Sequence, residues 1–464
     1  MMGGKADKTD GYGRSFNVSS SAGVTLPQQK DVLVIGGGAV GLYAHVRLLQ
    51  LGFDSMLIEK KEAPDRHSKS LGIHPVVLES FERVGLAEAF VSAGLKIRRG
   101  EAFWGREKLG VVRFDDRGGP FNFILALPQW RTEELLEDAA ERLCPGSVVR
   151  GAELQCYEGY EGAGHDRTFD SMDNHPQGID NHQQGIDNHQ QGMDNHSQGV
   201  DVRIRLNADP PGNDCSMLKG ARESTIRATW VIACDGKHGK TRSMLGIAQR
   251  GTPYPDTYLM GDFEDHTSFG KDAAVYLHKD GLIESFPLPH QQRRWVVKTD
   301  TYLEDADEVT LRKILMERLG EQPGSAEATM ISSFGVQHTV ASSFGRGRIF
   351  LAGDAAHVVS PIGGQGMNLG WLGVDFLMDG LMRTGRYHCL EKTSLERLLQ
   401  TYNKTFRNMV LQTGKRAEMN MRLGRKESHR RWVKWLLQFS LRYKVSRNLM
   451  ADLFTMRGLG RWFF

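Results

Sequence analysis

Residues 348–370, RIFLAGDAAHVVSPIGGQGMNLG, set a carboxylate and a glycine-rich loop directly after a short apolar run. The apolar residues Ile349 to Leu351 predict a buried strand, and Gly353-Asp354 follows where that strand should end. An aspartate carboxylate at a strand end can accept hydrogen bonds from the hydroxyls of a sugar or polyol chain. We therefore expect Asp354 to bind a hydroxylated ligand at the edge of a sheet.

The glycine-rich loop after this aspartate suits the approach of a flat ring. Gly363, Gly364 and Gly366 carry no side chains, so backbone N–H groups there can come close to an electron-rich ring edge. The sequence predicts a helix that opens near Asn368, and a helix N-terminus favours negative charge that develops beside it. Together with Asp354, the loop is typical of a flavin site, with the ribityl chain on the carboxylate and the pyrimidine edge on the loop.

A second nucleotide-binding pattern lies near the N-terminus, in DVLVIGGGAVG. An apolar strand leads into Gly36-x-Gly38-x-x-Gly41 and an apolar helix, which is the arrangement that holds a dinucleotide pyrophosphate. The next predicted strand, Ser55 to Ile58, ends in Glu59, whose carboxylate can bind the adenosine ribose hydroxyls. A tight strand–helix turn without a ligand would explain the glycines but not Glu59, so we favour dinucleotide binding.

A third block, TWVIACDGKHGKTRSMLGI, lies between the other two. Its apolar strand, Val231 to Ala233, precedes Asp235-Gly236, and Arg242 follows six residues after the glycine. Taken alone, this pattern also fits a strand that ends in an Asx turn. Its position between the two nucleotide-binding patterns favours a role in the same site.

The three blocks, in this order, resemble the single-component FAD-dependent aromatic hydroxylase family of flavoprotein monooxygenases. The p-hydroxybenzoate hydroxylase-like and ubiquinone-pathway hydroxylase-like groups belong to it, and the resemblance covers roughly residues 30–400. It implies an α/β fold in which a Rossmann-like FAD-binding domain (GR2-type) is interleaved with an antiparallel-sheet substrate domain. Helices would follow at the C-terminus.

The resemblance also implies which residues contact FAD. The resemblance assigns FAD contacts to these positions: Gly36, Gly38, Gly41, Glu59, Lys69, Gln129, Asp235, Gly236, Arg242, Gly353, Asp354, Pro361, Gly364, Gly366, Met367 and Asn368. Pro361 would lie beside the reactive face of the isoalloxazine, which makes it the candidate for a catalytic position. Gln129 would open a helix over residues 129–143, where a surface glutamine at a helix start is the alternative.

Three positions depart from the family pattern. Lys69 stands where an arginine usually faces the FAD pyrophosphate, so it offers a point charge in place of a bidentate fork. Gly239 stands where a serine is common in the family. Gly373 stands where the family usually has an acidic residue, and an acidic residue, Asp375, follows two positions later in this chain. These departures motivate one alternative, a flavin-binding protein that has no turnover.

The implied reaction uses NADH or NADPH as a transient co-substrate, because the chain has a single GxGxxG pattern. In the family, reduced flavin and O2 give a C4a-hydroperoxide, which hydroxylates or epoxidises the substrate. We expect an aromatic, polyketide-like or isoprenoid small molecule. A related flavin-dependent reductase or halogenase is the second alternative, although no WxWxIP run of the halogenase kind is present. Tyr254, Tyr258, His278 and His290 are candidates for a base, each more easily explained as structural.

Composition places the chain among soluble enzymes. Its 464 residues favour two or three domains, and a net charge of +3 gives no argument for nucleic acid. The five cysteines show no metal-binding spacing, so we expect no metal site and a reducing compartment. No signal-peptide core or run of about eighteen apolar residues is present. The prediction is a cytoplasmic protein, with a membrane-peripheral location as the alternative.

The domain boundaries follow from these patterns. We expect a disordered arm at 1–29, an FAD-binding domain from 30–90, 129–250 and 335–400, a substrate domain from 91–128 and 251–334, and a helical region at 401–464. Residues 148–157 and 200–206 predict a hairpin, with 225–233 as the next strand. The FAD-binding part carries a low-complexity insertion at 170–200, in which DNHxQG units recur every seven residues. Its histidines could attract a metal, but an expanded hairpin loop is favoured.

The C-terminal segment, 405–464, is basic and predicted to be helical. Its large apolar residues recur at helical spacing, with Arg431, Lys434 and Arg442 around them: Trp432, Trp435, Leu436, Phe439 and Tyr443. This face predicts either contact with a membrane surface or docking on the FAD-binding domain, and the second is favoured. The final RWFF could pack on the same surface or on a second copy, so both a monomer and a homodimer remain open.

Overall fold

The computed structural model describes residues 25–65, 70–158, 199–207, 222–320, 322–324, 326–360, 363–383, 392–425 and 430–457. Lys69, Pro361, residues 173–198 of the DNHxQG repeat and the final RWFF therefore lie outside the described residues. The end of the predicted N-terminal arm does belong to the fold, because Leu26 is buried and the first strand begins at Gln29.

The strands are, in chain order, β1 Gln29–Ile35, β2 Ser55–Glu59, β3 Gly72–Ile73, β4 Leu95–Ile97, β5 Arg99–Trp104, β6 Glu107–Arg113, β7 Ile124–Ala126, β8 Val148–Arg150, β9 Ala152–Tyr157, β10 Val200–Leu206, β11 Arg222–Ala233, β12 Gln249–Glu264, β13 Ala273–Leu277, β14 Ile283–Leu288, β15 Gln292–Thr299, β16 Met330–Ala341, β17 Gly345–Arg346, β18 Ile349–Leu351 and β19 His357–Val358. The helices are α1 Ala39–Gln50, α2 Pro75–Arg83, α3 Ala87–Ala93, α4 Gln129–Leu143, α5 Thr241–Met244, α6 Glu308–Leu319, α7 Gln365–Arg383, α8 Lys392–Thr401, α9 Arg407–Leu423, α10 Arg431–Arg442 and α11 Lys444–Phe454. A 3₁₀ turn, Gly353–Ala355, follows β18, and a π-helical turn, Tyr402–Phe406, joins α8 to α9.

One sheet carries every strand that precedes a predicted nucleotide-binding motif. Its order is β17-β18-β11-β1-β2-β8, and β18, β11, β1, β2 and β8 run parallel to one another. These strands are short apolar runs because both faces of a parallel sheet are covered, and Val32, Leu33 and Val34 are fully buried. Parallel strands end at one edge, so the glycine-rich turn, the Asp235 turn and the Asp354 turn meet there.

A second sheet, in the order β19-β16-β12-β15-β14-β13-β5-β6, has two different faces. Along each strand, alternate side chains point to opposite faces. One face packs on α6 through a cluster that includes Phe263, Tyr276, Trp295 and Leu311. The other face points towards a cavity, so this sheet forms one wall of a ligand site. The predicted α/β class with an antiparallel sheet and C-terminal helices is confirmed.

The predicted hairpin is confirmed for residues 152–157 and 200–206, because β9 pairs antiparallel with β10, and β10 pairs antiparallel with β11. Residues 148–150 instead form β8, which pairs parallel with β2. β11 begins at Arg222, three residues before the predicted start. The chain between β9 and β10 contains the repeat, and it lies outside the described residues. The domain boundaries expected from the sequence stay a prediction.

Helices α1 and α7, which follow the first and last glycine-rich motifs, are joined by a buried polar cluster. Asp375 accepts hydrogen bonds from the Tyr43 hydroxyl at 2.8 Å and the Arg47 guanidinium at 3.0 Å. The Trp371 indole N–H donates to the Ala39 carbonyl at 3.0 Å. Burial raises the pKa of the Asp375 carboxyl. The cluster fixes one glycine-rich turn against the other.

The C-terminal helices contact both the second sheet and the part of the chain that carries the nucleotide-binding motifs. α10 and α11 pack against β6 of the second sheet, with Leu441 in the shared apolar cluster, while Met456, just after α11, is buried in the core around the first sheet. The aromatic face identified in the sequence points outwards, with Trp432 61% and Trp435 65% exposed. The face that docks is therefore the opposite one. In the described part of the chain, no helix is both long and apolar enough to cross a membrane.

Candidate functional site

The first glycine-rich turn is shaped by its contact with the Asp235 segment. Gly36 has a φ of +105°, and a Cβ atom there would lie 2.4 Å from the Cys234 carbonyl oxygen. A Cβ on Gly41 would lie 1.9 Å from the Gly36 carbonyl oxygen. Both glycines are therefore required by the fold itself, whether or not a ligand binds.

Gly38 differs from these two glycines because no contact within the described part of the chain requires a glycine there. A Cβ atom there would meet only Glu133 Oε1, at 3.9 Å, and its φ of −78° is open to any residue. The space beside it lies at the N-terminus of α1, where helix N–H groups attract anions. At the end of β2, Glu59 Oε2 accepts a hydrogen bond from the Gly37 N–H at 2.6 Å. The open cradle and the adjacent carboxylate fit the pyrophosphate and ribose of an ADP moiety.

Gln129 lies beside the same turn, at the start of the predicted helix, which is confirmed as α4. Its side-chain amide donates to Glu133 Oε1 at 2.8 Å, and the Ala39 N–H of α1 also reaches the Glu133 carboxyl. Burial raises the pKa of Glu133. Glu133 was not predicted as a site residue, although its place one helical turn after Gln129 puts the two side chains on one face of α4.

The Asp235 turn ties the other two motifs together. Asp235 Oδ2 accepts the Thr241 N–H at 2.9 Å, and the Arg242 guanidinium donates to the Ala355 carbonyl at 3.1 Å. Asp235 Oδ1 is buried and has no hydrogen-bond partner among the described residues, so it is available to a ligand donor. A Cβ on Gly239 would lie 2.1 Å from Asp235 Cγ, which explains why no serine stands there. Gly236 has a φ of +79°.

The Asp354 turn packs directly on the first motif. Gly353 has a φ of +59°, and a Cβ atom there would lie 3.2 Å from Val40 of α1. Asp354 follows on the exposed side of the 3₁₀ turn, at the strand edge where the sequence predicted it. Gly370 of α7 approaches the same residue more closely, since a Cβ on it would lie 2.5 Å from Val40 Cγ2. The two glycine-rich motifs thus meet around one valine.

The second glycine-rich loop is clamped by Asn368. The Asn368 carbonyl oxygen accepts the His74 N–H at 2.9 Å, and its amide donates to the Gly72 and Gly364 carbonyls at 2.8 and 2.7 Å. Gly363 and Gly364 have φ values of +82° and +66°. The Asn368 side chain therefore holds the loop, which leaves the backbone of the loop to face a ligand.

Helix α7 begins at Gln365, close to the start near Asn368 that the sequence predicts. Gly366, Met367 and Asn368 consequently lie in its first turn, where N–H groups have no carbonyl partner within the helix. These N–H groups fit the electron-rich edge of a flavin ring. His74, which was not predicted as a site residue, supports the loop. Burial lowers the pKa of its imidazole to about 4, and its neutral ring donates a hydrogen bond to the Gly363 carbonyl at 3.1 Å.

A cavity of about 230 Å³ opens beside this loop. Gly72, His74, Gly363 and Gly364 form its boundary on the side of the FAD-binding motifs. The second sheet forms another wall, and the inner faces of α10 and α11 close the far side with Leu437, Leu441, Met450 and Phe454. Its lining is predominantly apolar, so it suits a hydrophobic ligand that lies against the glycine-rich loop.

Few ionisable side chains line this cavity. Arg294 is paired with Asp262, at 2.6 Å between Nε and Oδ1, and Glu101 is paired with Lys108 at 2.7 Å. Glu284 also lines it, and burial raises the pKa of its carboxyl to about 7. The four base candidates named from the sequence, Tyr254, Tyr258, His278 and His290, are not among the lining residues of this cavity. Among the described residues, no cluster of three or more potential metal ligands is present.

Comparison with known proteins identifies the class. The family described as FAD binding domain matches residues 29–179 and 189–417, and the chain belongs to this family. FAD is the cofactor that the domain binds, and the open cradle at Gly38, the Asp235 Oδ1 atom and the first turn of α7 all fit it.

Among individual proteins, the chain is 28% identical over 390 residues to a 6-methylpretetramide 4-monooxygenase of Streptomyces rimosus, which covers 81% of this chain and 59% of that protein. The chain thus spans well under two thirds of the length of that relative. It also shares the fold of a p-nitrophenol 4-monooxygenase from Pseudomonas putida DLL-E4, with a TM-score of 0.71 at 17% identity, over 92% of this chain and 98% of that one. An anhydrotetracycline hydroxylase from Streptomyces rimosus gives a TM-score of 0.66 at 23% identity, over 92% and 76% of the two chains.

Proposed function

We propose that this protein is an FAD-dependent monooxygenase that uses NADH or NADPH and O2 to hydroxylate or epoxidise an aromatic or polyketide-like small molecule. The observation that carries the proposal is the apolar cavity at Gly363 and Gly364, directly beside the loop that fits the flavin ring. The family supplies the cofactor, and the relative that acts on 6-methylpretetramide supports an aromatic polyketide as the kind of substrate. An isoprenoid would fit the same apolar lining.

In this proposal, the two glycine-rich motifs hold opposite ends of FAD. Gly38 and Glu59 would bind the pyrophosphate and ribose, and Asp354 would bind the ribityl hydroxyls. Bound FAD supplies the redox chemistry that takes a hydride from NAD(P)H and activates O2. The roles of Lys69 and Pro361, beside the pyrophosphate and the ring, are likewise part of the proposal.

The protein's own contribution would be to position the substrate and exclude water. The second sheet, α10 and α11 surround the cavity with apolar side chains, including Phe286 and Leu441. Exclusion of water matters because activated oxygen is otherwise released as peroxide without substrate oxidation. The Asn368 clamp would keep the loop at a constant distance from the substrate.

The test is NAD(P)H consumption by the purified, FAD-loaded protein with a panel of phenols, polyketides and isoprenoids. We expect consumption that requires O2 and is accelerated by a substrate, with little peroxide. Product formation without O2 would favour the reductase alternative instead. A yellow protein whose flavin stays oxidised with NADH, NADPH and every substrate class would refute turnover.

We further propose that the outer face of α10 and α11 contacts an anionic lipid surface. Trp435 stacks on Phe439 with 5.7 Å between ring centroids, and both side chains are exposed. Arg431, Arg442 and Lys444 are exposed on the same two helices, so aromatic and basic groups occur together, as in helices that lie at membrane interfaces. The inner side of these helices lines the cavity, which would give an apolar substrate a short path from lipid.

Sedimentation with vesicles tests this contact. The protein should bind vesicles that contain phosphatidylserine more than pure phosphatidylcholine vesicles, and Trp435→Ser should weaken binding. Val309→Ser is the matched control, because Val309 is an exposed apolar residue on α6, 74% exposed. An equal loss of vesicle binding in both variants would contradict the lipid proposal. A dimer in solution that Trp435→Ser dissociates would also contradict it and would assign this face to a second copy of the chain.

A further inference from the structure

One row of side chains crosses the cavity-facing side of the second sheet. Its members are neighbours in strand register on β5, β13, β14, β15 and β12: Ala102, Val275, Glu284, Val296 and Met260. All five line the cavity. Four are apolar, so the row presents a single ionisable group, Glu284, near the middle of the sheet.

Glu284 is the carboxyl in this lining that the protein leaves without a partner. It is 7% exposed, and among the described residues no hydrogen bond or ion pair to its side chain is present. Asp262 and Glu101, by contrast, are each engaged by a basic group. A buried carboxyl without a partner is costly, which makes a ligand group the natural partner.

The side chains around Glu284 bury its carboxyl, so that it gains and loses its proton near neutral pH. Burial alone raises the pKa of its carboxyl to about 7. On β12, Tyr258 has a buried hydroxyl without a partner in the described chain, and its pKa is raised by burial and then by the charges of Glu284 and Asp256. On β15, Nε and Nη2 of Arg294 donate to Asp262, whereas its buried Nη1 has no partner among the described residues. Across the cavity, His74 is neutral.

We infer that Glu284 receives a phenolic hydroxyl of the substrate in this cavity and accepts its proton, so that the substrate class is an uncharged, apolar phenol of naphthol size or larger. This inference rests on the proposed function. In the step, the phenol O–H bond breaks, a Glu284 Oε–H bond forms, and the electron pair stays on the phenolate oxygen. The phenolate raises the electron density of the ring that is to be hydroxylated.

The other polar substrate groups fit less well. A substrate carboxylate would face a second carboxylate, Glu284, across a row of apolar side chains. Asp262 already engages Nε and Nη2 of Arg294, so only the Nη1 atom of this guanidinium is open to a ligand. An ether or a quinone oxygen has no proton to donate to the ionised carboxyl. A phenol both donates the hydrogen bond that Glu284 lacks and presents an apolar ring to the rest of the row.

The test compares the binding of 2-naphthol and 2-methoxynaphthalene to the FAD-loaded protein by calorimetry between about pH 5.5 and pH 8. As Glu284 ionises, naphthol gains a charge-assisted hydrogen bond, so its affinity should rise roughly tenfold over this range. The methyl ether should bind more weakly as pH rises, because it leaves a carboxylate desolvated. Both pH profiles should be flat in Glu284→Gln.

Glu264→Gln is the control, since Glu264 is an exposed carboxyl on the same sheet, outside the cavity. It should keep the wild-type profiles, and thermal unfolding should show that both variants are folded. Parallel profiles for naphthol and its ether, or an unchanged naphthol profile in Glu284→Gln, would overturn the inference. Tighter binding of 2-(aminomethyl)naphthalene than of naphthol would overturn it in favour of a cationic substrate.

These results are separable from the proposed function. Oxygen-dependent NAD(P)H consumption with flat binding profiles would remove only the role of Glu284. Opposite pH profiles for the phenol and its ether in a protein that never reduces its flavin would support the phenol site and refute turnover.

Discussion

Replacing Glu284 by glutamine should stabilise the protein at pH 8 and have little effect at pH 5. Burial raises the pKa of this carboxyl from 4.5 to about 7. Because the folded pKa lies above the unfolded one, the folded state holds the proton more tightly, and wild-type stability falls as pH rises from about 4.5 to 7. The full cost at pH 8 is about 3 kcal/mol, and at pH 5 it is under about 1 kcal/mol. Glutamine cannot ionise, so the variant avoids this loss.

The assay is thermal unfolding of wild type and Glu284→Gln at both pH values, with the same excess of FAD. For a chain of this length, the pH-dependent difference should shift the Tm by roughly 2–3 °C in favour of the variant at pH 8. Any effect of glutamine on packing is present at both pH values and cancels in the comparison. A variant that gains nothing between pH 5 and pH 8, as expected for the exposed Glu264→Gln control, would show that Glu284 is not desolvated.

Four further substitutions probe the cofactor site and a buried ion pair. Gly38→Ala should fold normally yet lose FAD affinity. Gly41→Ala should fail to fold, because a Cβ atom on Gly41, unlike one on Gly38, would lie 1.9 Å from a backbone oxygen. Flavin titration measures the first effect, and thermal unfolding of the apoproteins measures the second. Asn368→Asp should cost roughly 3 kcal/mol in chemical denaturation and speed flavin release, since it removes both donors to the loop carbonyls. Arg425→Met should cost roughly 3 kcal/mol, because it leaves Asp256, which is 1% exposed, without its closest partner at 2.6 Å.

Each of these has an outcome that contradicts it. Wild-type FAD affinity in Gly38→Ala would mean that the pyrophosphate does not approach that residue. Unchanged flavin release in Asn368→Asp would separate the loop from the cofactor. For the ion pair, the double variant Arg425→Met/Asp256→Asn should recover most of the lost stability; no recovery would show that Arg425 acts through packing alone.

The sequence alone was enough to predict the nucleotide-binding motifs, because the geometry of each motif depends on residues close together in the chain. A glycine that must turn a strand into a helix, such as Gly36, and a carboxylate one strand later, such as Glu59, are fixed by spacing along the chain. Parallel strands end at one edge, so the motif order also predicted that Asp235 and Asp354 would meet there. The helix after Gln129 was predictable from its 3.6-residue period.

Two apparent departures from the family pattern needed the tertiary structure to be understood. Gly239 has no room for a side chain because the Asp235 carboxyl fills that space. A Cβ on Gly373 would lie 2.7 Å from the Phe406 ring, so an acidic residue is excluded there, and Asp375 instead joins α1 to α7. Phe406 is 33 residues from Gly373, and Asp235, although only four residues before Gly239, reaches it through the shape of the turn, so neither constraint could be seen in the sequence.

The sequence by itself determined that two nucleotide-binding segments exist and which strand ends carry them. Only the tertiary structure decided which face of α10 docks and that Glu284, not one of the four tyrosines and histidines first considered, lines the cavity. The physical reason is register. The surroundings of Glu284 come from five strands between residues 99 and 299, and its desolvation depends on how those strands align, which no local pattern encodes.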